Sequence, residues 1–278
     1  MEIPMTPKAE EMFAKAIHLP QIPHLMREIV ASLKNDNVTM QELAALVSND
    51  MVISAKVLRL ANSSFYGSRH DVSRISDAVQ MIGLTSFRNL VIASAMSGMF
   101  PKVEGFDLAS FWRNSMLVAN LAHIIGRNLG EDRDALFTTG LMHSIGQLLI
   151  YLCLPQEAQA AAEACEGIPL EQQRAVEQSI LNMDHYEVGK ELARRWNFPD
   201  TIQSAIGNYD SPPDDDIQGQ VVYAAVKIAK AIVQENTLDD MMSDLPRNIA
   251  ERLHLDKAWF EEQGEVFDLL LNESHTLV

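Results

Sequence analysis

Leu141-Met142-His143-Ser144-Ile145-Gly146-Gln147-Leu148-Leu149-Ile150-Tyr151-Leu152-Cys153-Leu154 is the longest apolar run in the chain, interrupted only by His143, Ser144 and Gln147. At about 14 residues it is too short to cross a bilayer and reads as a buried helix. Its apolar side chains follow the helical period: Thr138, Leu141, Ile145, Leu148 and Leu152 fall on one face. The same stripe recurs on both sides of it. Phe111, Ser115, Val118, Ala122 and Ile125 share a face, and so do Val221, Ala225, Ile228 and Ile232. Strict apolar/polar alternation never persists long enough for a strand. No fixed-period repeat is present either. The spacing predicts an all-α protein.

Local signals punctuate these helices. Thr6-Pro7 is a cap followed by proline in the first turn. Thr39 with Glu42, and Asp184 with Glu187, have the spacing of capping boxes. Gly83 and Gly130 fall where helices should stop, and Pro155 and Pro199 where new ones should start. Residues 101–105 break the periodicity, and the polar stretch 210–216 is a loop of prolines and repelling carboxylates. A second acidic loop is expected from Leu238 to Asp244, and a last helix from about Asp256 to Leu271, with Trp259, Val266 and Leu270 available for packing. The expected organisation is a helical half over 1–100, a second over 101–210, and C-terminal helices over 211–278 packed on the core.

Composition narrows the function classes. The chain has 278 residues, 47% hydrophobic and 22% charged, with 38 acidic against 22 basic residues and a formal charge of -16. Such a balance repels phosphate backbones, and no basic run offsets it, so nucleic acid is not an expected partner. Arg194 and Arg195 beside Lys190 read as a solvated helix face. Cys153 and Cys165 stand 12 apart in apolar or alanine-rich surroundings and read as small core residues of a reducing compartment. The residues after Met1 have no basic-then-apolar signal pattern. The expectation is a cytoplasmic protein with no membrane partner. Met51, Met81, Met96, Met99 and Met116 sit mostly in apolar patterns and read as gap-filling core.

Motifs that carry chemistry are few. The chain has no phosphate-cradling glycine loop, GxSxG, HExxH or paired-cysteine zinc motif. Of eight histidines, His143 and His185 lie on stretches that turn inward. From spacing alone they read as two core histidines bonded to backbone or to hydroxyls such as Ser144, since isolated histidines seldom make a metal site. Asn62-Ser63-Ser64-Phe65-Tyr66-Gly67 reads as a helix end and turn; the other reading exposes Phe65 and Tyr66 as a partner surface.

Several segments together resemble the HDOD family. They are Leu19-Pro20-Gln21-Ile22-Pro23, Asp50, Val57 to Gly67, Ile75 to Gly83, Phe111-Trp112-Arg113-Asn114-Ser115, Gly140 to Gly146, and Asp184 to Pro199. The resemblance implies a multi-helix, HD-like bundle of about 12–14 helices without significant sheet. In the wider HD superfamily, histidines and aspartates from several helices hold divalent metals that activate a water against phosphate esters. Carried over residue by residue, the first histidine position holds Asn114, and the histidine-aspartate pair is His143-Ser144. A later histidine pair is Asn208-Tyr209, and the last aspartate falls near Val226. Only His143 and His185 survive as imidazoles. Too few donors remain for a tight divalent ion, so the expectation is no cofactor beyond loose capture of Ni²⁺ or Zn²⁺ at His143 and His185. Asn114, His143, Ser144, His185, Asn208 and Tyr209 become the candidate lining of an emptied pocket.

The resemblance thus implies a bacterial-type regulatory module that works through contacts with other signalling proteins. A metal-dependent phosphohydrolase and a nucleotide or small-ligand sensor are the alternatives. Self-association through the apolar C-terminal helices is open, with no specific motif to mark it. With only the HDOD unit in this chain, input and output are expected to come from partners.

Overall fold

Each cap read from the sequence starts or stops a helix. The computed structural model describes residues 5–15, 27–28, 30, 39–62, 72–103 and 105–274. Thr6 precedes α1 (Pro7–Lys15), and its hydroxyl accepts from the Ala9 N–H at 3.4 Å. The Thr39–Glu42 capping box opens α2 (Met40–Ser48), and Asp50 caps α3 (Met51–Ala61). The long α4 (Ile75–Met99) is two helices joined at Gly83, whose φ of 82° only glycine adopts without strain. Residues 100–107 then lead into α5 (Leu108–Leu129), which ends on Gly130 in the left-handed conformation.

The apolar run that opened the sequence reading forms two helices rather than one. α6 (Arg133–Met142) stops at His143, and α7 (Ile145–Cys153) starts after Ser144. The reason is tertiary. A Cβ on Gly146 would sit 1.9 Å from the His185 carbonyl oxygen and 2.7 Å from the Gly189 nitrogen, so the backbone of α7 lies directly against the next helix pair. Among the described residues, 133–153 is the one stretch long and apolar enough to cross a membrane, and 78% of its most apolar window is buried inside the protein.

Beyond it follow α8 (Pro155–Cys165), α9 (Leu170–Leu181), α10 (His185–Arg195) and α11 (Asp200–Asn208). The Asp184–Glu187 box caps α10, and Pro155 occupies the first turn of α8. After the acidic loop come α12 (Ile217–Val233), α13 (Leu238–Ser243), α14 (Arg247–Arg252) and α15 (Lys257–Ser274). The expected loop from Leu238 to Asp244 is instead the short helix α13. Thr237 and Asp240 form a capping box there, which outweighs the repulsion between neighbouring acids. No strand occurs among the described residues, and the protein is all-α.

Two apolar clusters meet on α5. Phe111, Trp112, Met116 and Ala119 join a cluster built with α1–α4 and α6–α11, while Leu117, Val118, Leu121, Ala122 and Ile125 join one built with α12–α15. Met96 and Met116 are core as read, but Met51 is 85% and Met81 39% exposed, so the methionine expectation fails at those two positions. Their apolar neighbours in sequence lie on the opposite helix face; Ile53 and Val79 are buried where Met51 and Met81 are not.

Candidate functional site

The break between α6 and α7 places His143 and Ser144 at the floor of a cavity of about 510 Å³. Asn114 from α5, Tyr209 from the end of α11 and Val226 from α12 line it with them, and Phe106 and Phe111 supply an aromatic wall. Five of the positions that the HD pattern assigns to metal ligands therefore do converge. His185 and Asn208 are not among the lining residues. The Asn208 amide donates to the Ser204 carbonyl of its own helix at 3.0 Å. Phe65 and Tyr66 lie outside the described residues. The rest of the Asn62–Gly67 block also lies outside the described residues; Asn62 itself bonds Val72, its amide N–H donating to the carbonyl at 2.9 Å and its amide oxygen accepting from the backbone N–H at 2.7 Å.

His143 is held in one tautomer. Its Nδ1 lies 2.7 Å from the Gly140 carbonyl oxygen, which can only accept, so Nδ1 carries the proton and Nε2 turns a lone pair outward. The ring is 3% exposed, and burial pushes its pKa down to about 4, against the opposing effect of the Gly140 bond. The imidazole is neutral at pH 7.

His185 is satisfied on both sides. Its Nδ1 meets the two oxygens of Glu177 at 2.7 and 2.8 Å, and its Nε2 meets the Tyr209 hydroxyl at 2.7 Å. Burial pushes the Glu177 carboxyl up, but the His185 imidazole and backbone N–H outweigh it, and the group stays ionised below its ordinary range. The carboxylate therefore accepts from Nδ1, and Nε2 is engaged by the Tyr209 hydroxyl. Burial, reinforced by Glu177 and Asp210, raises the Tyr209 phenol, which keeps its proton for that bond. Arg174 completes the support: it binds Asp210 through Nε and its terminal nitrogen, at 2.8 and 2.5 Å, and lies 4.3 Å over the Tyr186 ring.

This donor set does not fit a divalent metal. A metal-bound histidine usually donates its other N–H to a carboxylate, and Glu177 supplies that half of the arrangement. The nitrogen that would face the metal is instead taken by Tyr209. Tyr209 also contacts His143, with ring centroids 5.3 Å apart, so the two imidazoles do not form a free pair and the expected loose capture of Ni²⁺ or Zn²⁺ between them loses its geometry. Among the described residues no three His, Cys, Asp or Glu side chains converge as a ligand group. Asn114 and Ser144 add only neutral oxygens, and Val226 none.

Sequence reasoning missed Glu177, because a single glutamate on a polar helix carries no signal of burial. It also missed Lys227, which lines the cavity and is neutralised by Glu171 at 3.0 Å and Asp244 at 3.2 Å.

A family model described as the HDOD domain matches residues 19–212. The fold is similar to that of a candidate phosphohydrolase from Shewanella amazonensis SB2B, 30% identical, covering 98% of this chain and 99% of that one, with a TM-score of 0.80. It is also similar to an HDOD domain protein of unknown function from Geobacter sulfurreducens, 22% identical, covering 98% and 97% of the two chains, TM-score 0.83. An uncharacterized protein of Treponema pallidum (strain Nichols) is 22% identical over 236 residues, and the match spans 83% of this chain but 45% of that protein's length.

Proposed function

Because this chain belongs to the HDOD family, we propose that it is a bacterial regulatory module that binds other signalling proteins and does not hydrolyse phosphate esters. The hydrogen bond from Tyr209 to His185 Nε2 carries this reading. It occupies the His185 nitrogen that would otherwise face a metal, while asparagine, serine and valine stand at three further ligand positions. A water held near Asn114 and Ser144 would have no ion to lower its pKa, and His143, neutral and of low basicity, is a poor general base. Fold likeness to a candidate phosphohydrolase does not restore the missing charges. The work of such a module lies in its surfaces, in the cytoplasm.

The test is metal analysis of untagged protein beside phosphatase and phosphodiesterase assays with added Fe²⁺, Mn²⁺ and Ni²⁺. The expected result is well under one ion per chain and no turnover above buffer. Stoichiometric metal with turnover that His143→Ala abolishes would establish the hydrolase instead.

One observation favours a second reading, a small-ligand sensor. His143 lines the 510 Å³ cavity, and its Nε2 is left without a hydrogen-bond partner among the described residues. Nucleotides that raise the melting temperature of the wild type, but not of His143→Ala, would select it.

A further inference from the structure

A second, smaller cleft lies between α3, α4 and α5 and shares no residue with the His143 cavity. Its volume is about 20 Å³, room for a single water-sized atom. Lys56, Ser94, Ser97 and Trp112 line it, with Arg59 beside them. The Lys56 ammonium donates to the Ser97 hydroxyl at 3.1 Å, which donates in turn to the Ser94 carbonyl at 3.2 Å. Among the described residues no carboxylate pairs with Lys56. Burial, and next to it Arg59, pull the Lys56 pKa down, as expected for a cation held without a counter-charge.

Two further groups are orphaned at the same place. Trp112 is 5% and Ser94 3% exposed, and neither the Trp112 Nε1–H nor the Ser94 hydroxyl has a partner. An indole N–H can only donate, and an ammonium can only donate. The residues lining the cleft therefore carry two donor-only groups, the Trp112 indole N–H and the Lys56 ammonium, beside the unpartnered Ser94 hydroxyl, and no carboxylate is among them. A buried donor without a partner loses its hydration uncompensated, so such a cluster favours an occupant. Water supplies a neutral acceptor. An oxyanion supplies a stronger one and the missing negative charge. Against the protein's overall charge of -16, a half-buried ammonium with no carboxylate beside it among the described residues is the more conspicuous.

We infer that the Lys56–Ser94–Trp112 cleft is an oxyanion site that takes one oxygen of a carboxylate or phosphoryl group, with the rest of the group held at the mouth by Lys56. The group is carried either by a small free anion or by an acidic residue of a bound protein. The two sources present the same chemistry to the cleft, and they separate in titration.

The experiment follows the three indole N–H cross-peaks of ¹⁵N-labelled full-length protein while sodium phosphate, sodium acetate or a blocked peptide of alternating glutamate and glycine is added at constant ionic strength. The Trp112 cross-peak is assigned by elimination with Trp196→Phe and Trp259→Phe, neither of which lines the cleft. The expected result is a saturable shift of the Trp112 peak alone, weakened at least tenfold in Lys56→Gln. Lys56 is only half-buried, so that variant should keep its fold, and an unchanged amide spectrum checks it. Tighter binding of the peptide than of acetate assigns the site to a protein partner; equal or weaker binding assigns it to a free anion. A Trp112 peak that does not move, or that moves equally in Lys56→Gln, would overturn the inference and leave the cleft to water.

Discussion

Burial holds the His143 pKa near 4, well under the unfolded value of about 6.5, and the nearby His185 adds to the depression that the Gly140 bond opposes. The neutral ring is thus the folded form. Above about pH 6.5 both states are neutral and the residue contributes no pH dependence. As the pH falls, the unfolded chain takes up a proton that the folded chain refuses, so stability drains away between about 6.5 and 4 and by about 3 kcal/mol in total. His143→Gln removes that drain. Between pH 7 and pH 5 the wild type should lose about 2 kcal/mol more than the variant in urea denaturation; equal losses would show that the ring is not desolvated. Tyr209→Phe tests the neighbouring bond. It leaves the buried His185 Nε2 without a partner and should cost about 1–3 kcal/mol at pH 7. A neutral outcome would mean that the Glu177–His185–Tyr209 chain does not hold in solution. At this scale the sequence identified His143, Ser144, Asn114 and Tyr209 as neighbours through the HD pattern. It could not identify Glu177, which reaches His185 from a helix whose other side chains are mostly polar.

Helices pack here through backbone contact as well as through side chains. At Gly146 the start of α7 presses on the first turn of α10, and this contact holds the His143–Ser144 break beside His185. Gly146→Ala should therefore cost more than about 3 kcal/mol or prevent folding, because the clash is with backbone that no rotamer change relieves. Gly264 is the contrast. It lies inside α15 with nothing within 4 Å of an added Cβ, so Gly264→Ala should stabilise by about 0.5–1 kcal/mol. Thermal melts of the two variants against the wild type check both signs, and a tolerated Gly146→Ala would refute the close approach. Capping boxes at Thr39 and Asp184 were legible because they are local. The division of 141–154 into two helices was not, since nothing within that run forbids one continuous helix.

Over the whole molecule, α5 is the common wall. Its Phe111–Met116 side faces the larger cluster and its Leu121–Ile125 side faces the C-terminal helices, so neither cluster is complete without it. The chain should unfold in one cooperative transition. Leu148→Ala, in the first cluster, and Phe260→Ala, in the second, should shift that same transition to lower temperature by comparable amounts; calorimetry that resolves two peaks would separate the clusters. The buried Arg88–Asp134 pair, 3.0 Å apart, ties α4 to α6 within this arrangement.

Period and caps act within a few residues, which is why the amino-acid order alone determined an all-α chain and most helix limits. Where each group points is decided by contacts between residues far apart in the chain. The seating of Tyr209 on His185, the burial of Glu177, the exposure of Met51 and the gathering of Lys56 and Trp112 around one cleft all belong to that second kind. Each depends on the energy of packing one helix against another, and no local pattern encodes it.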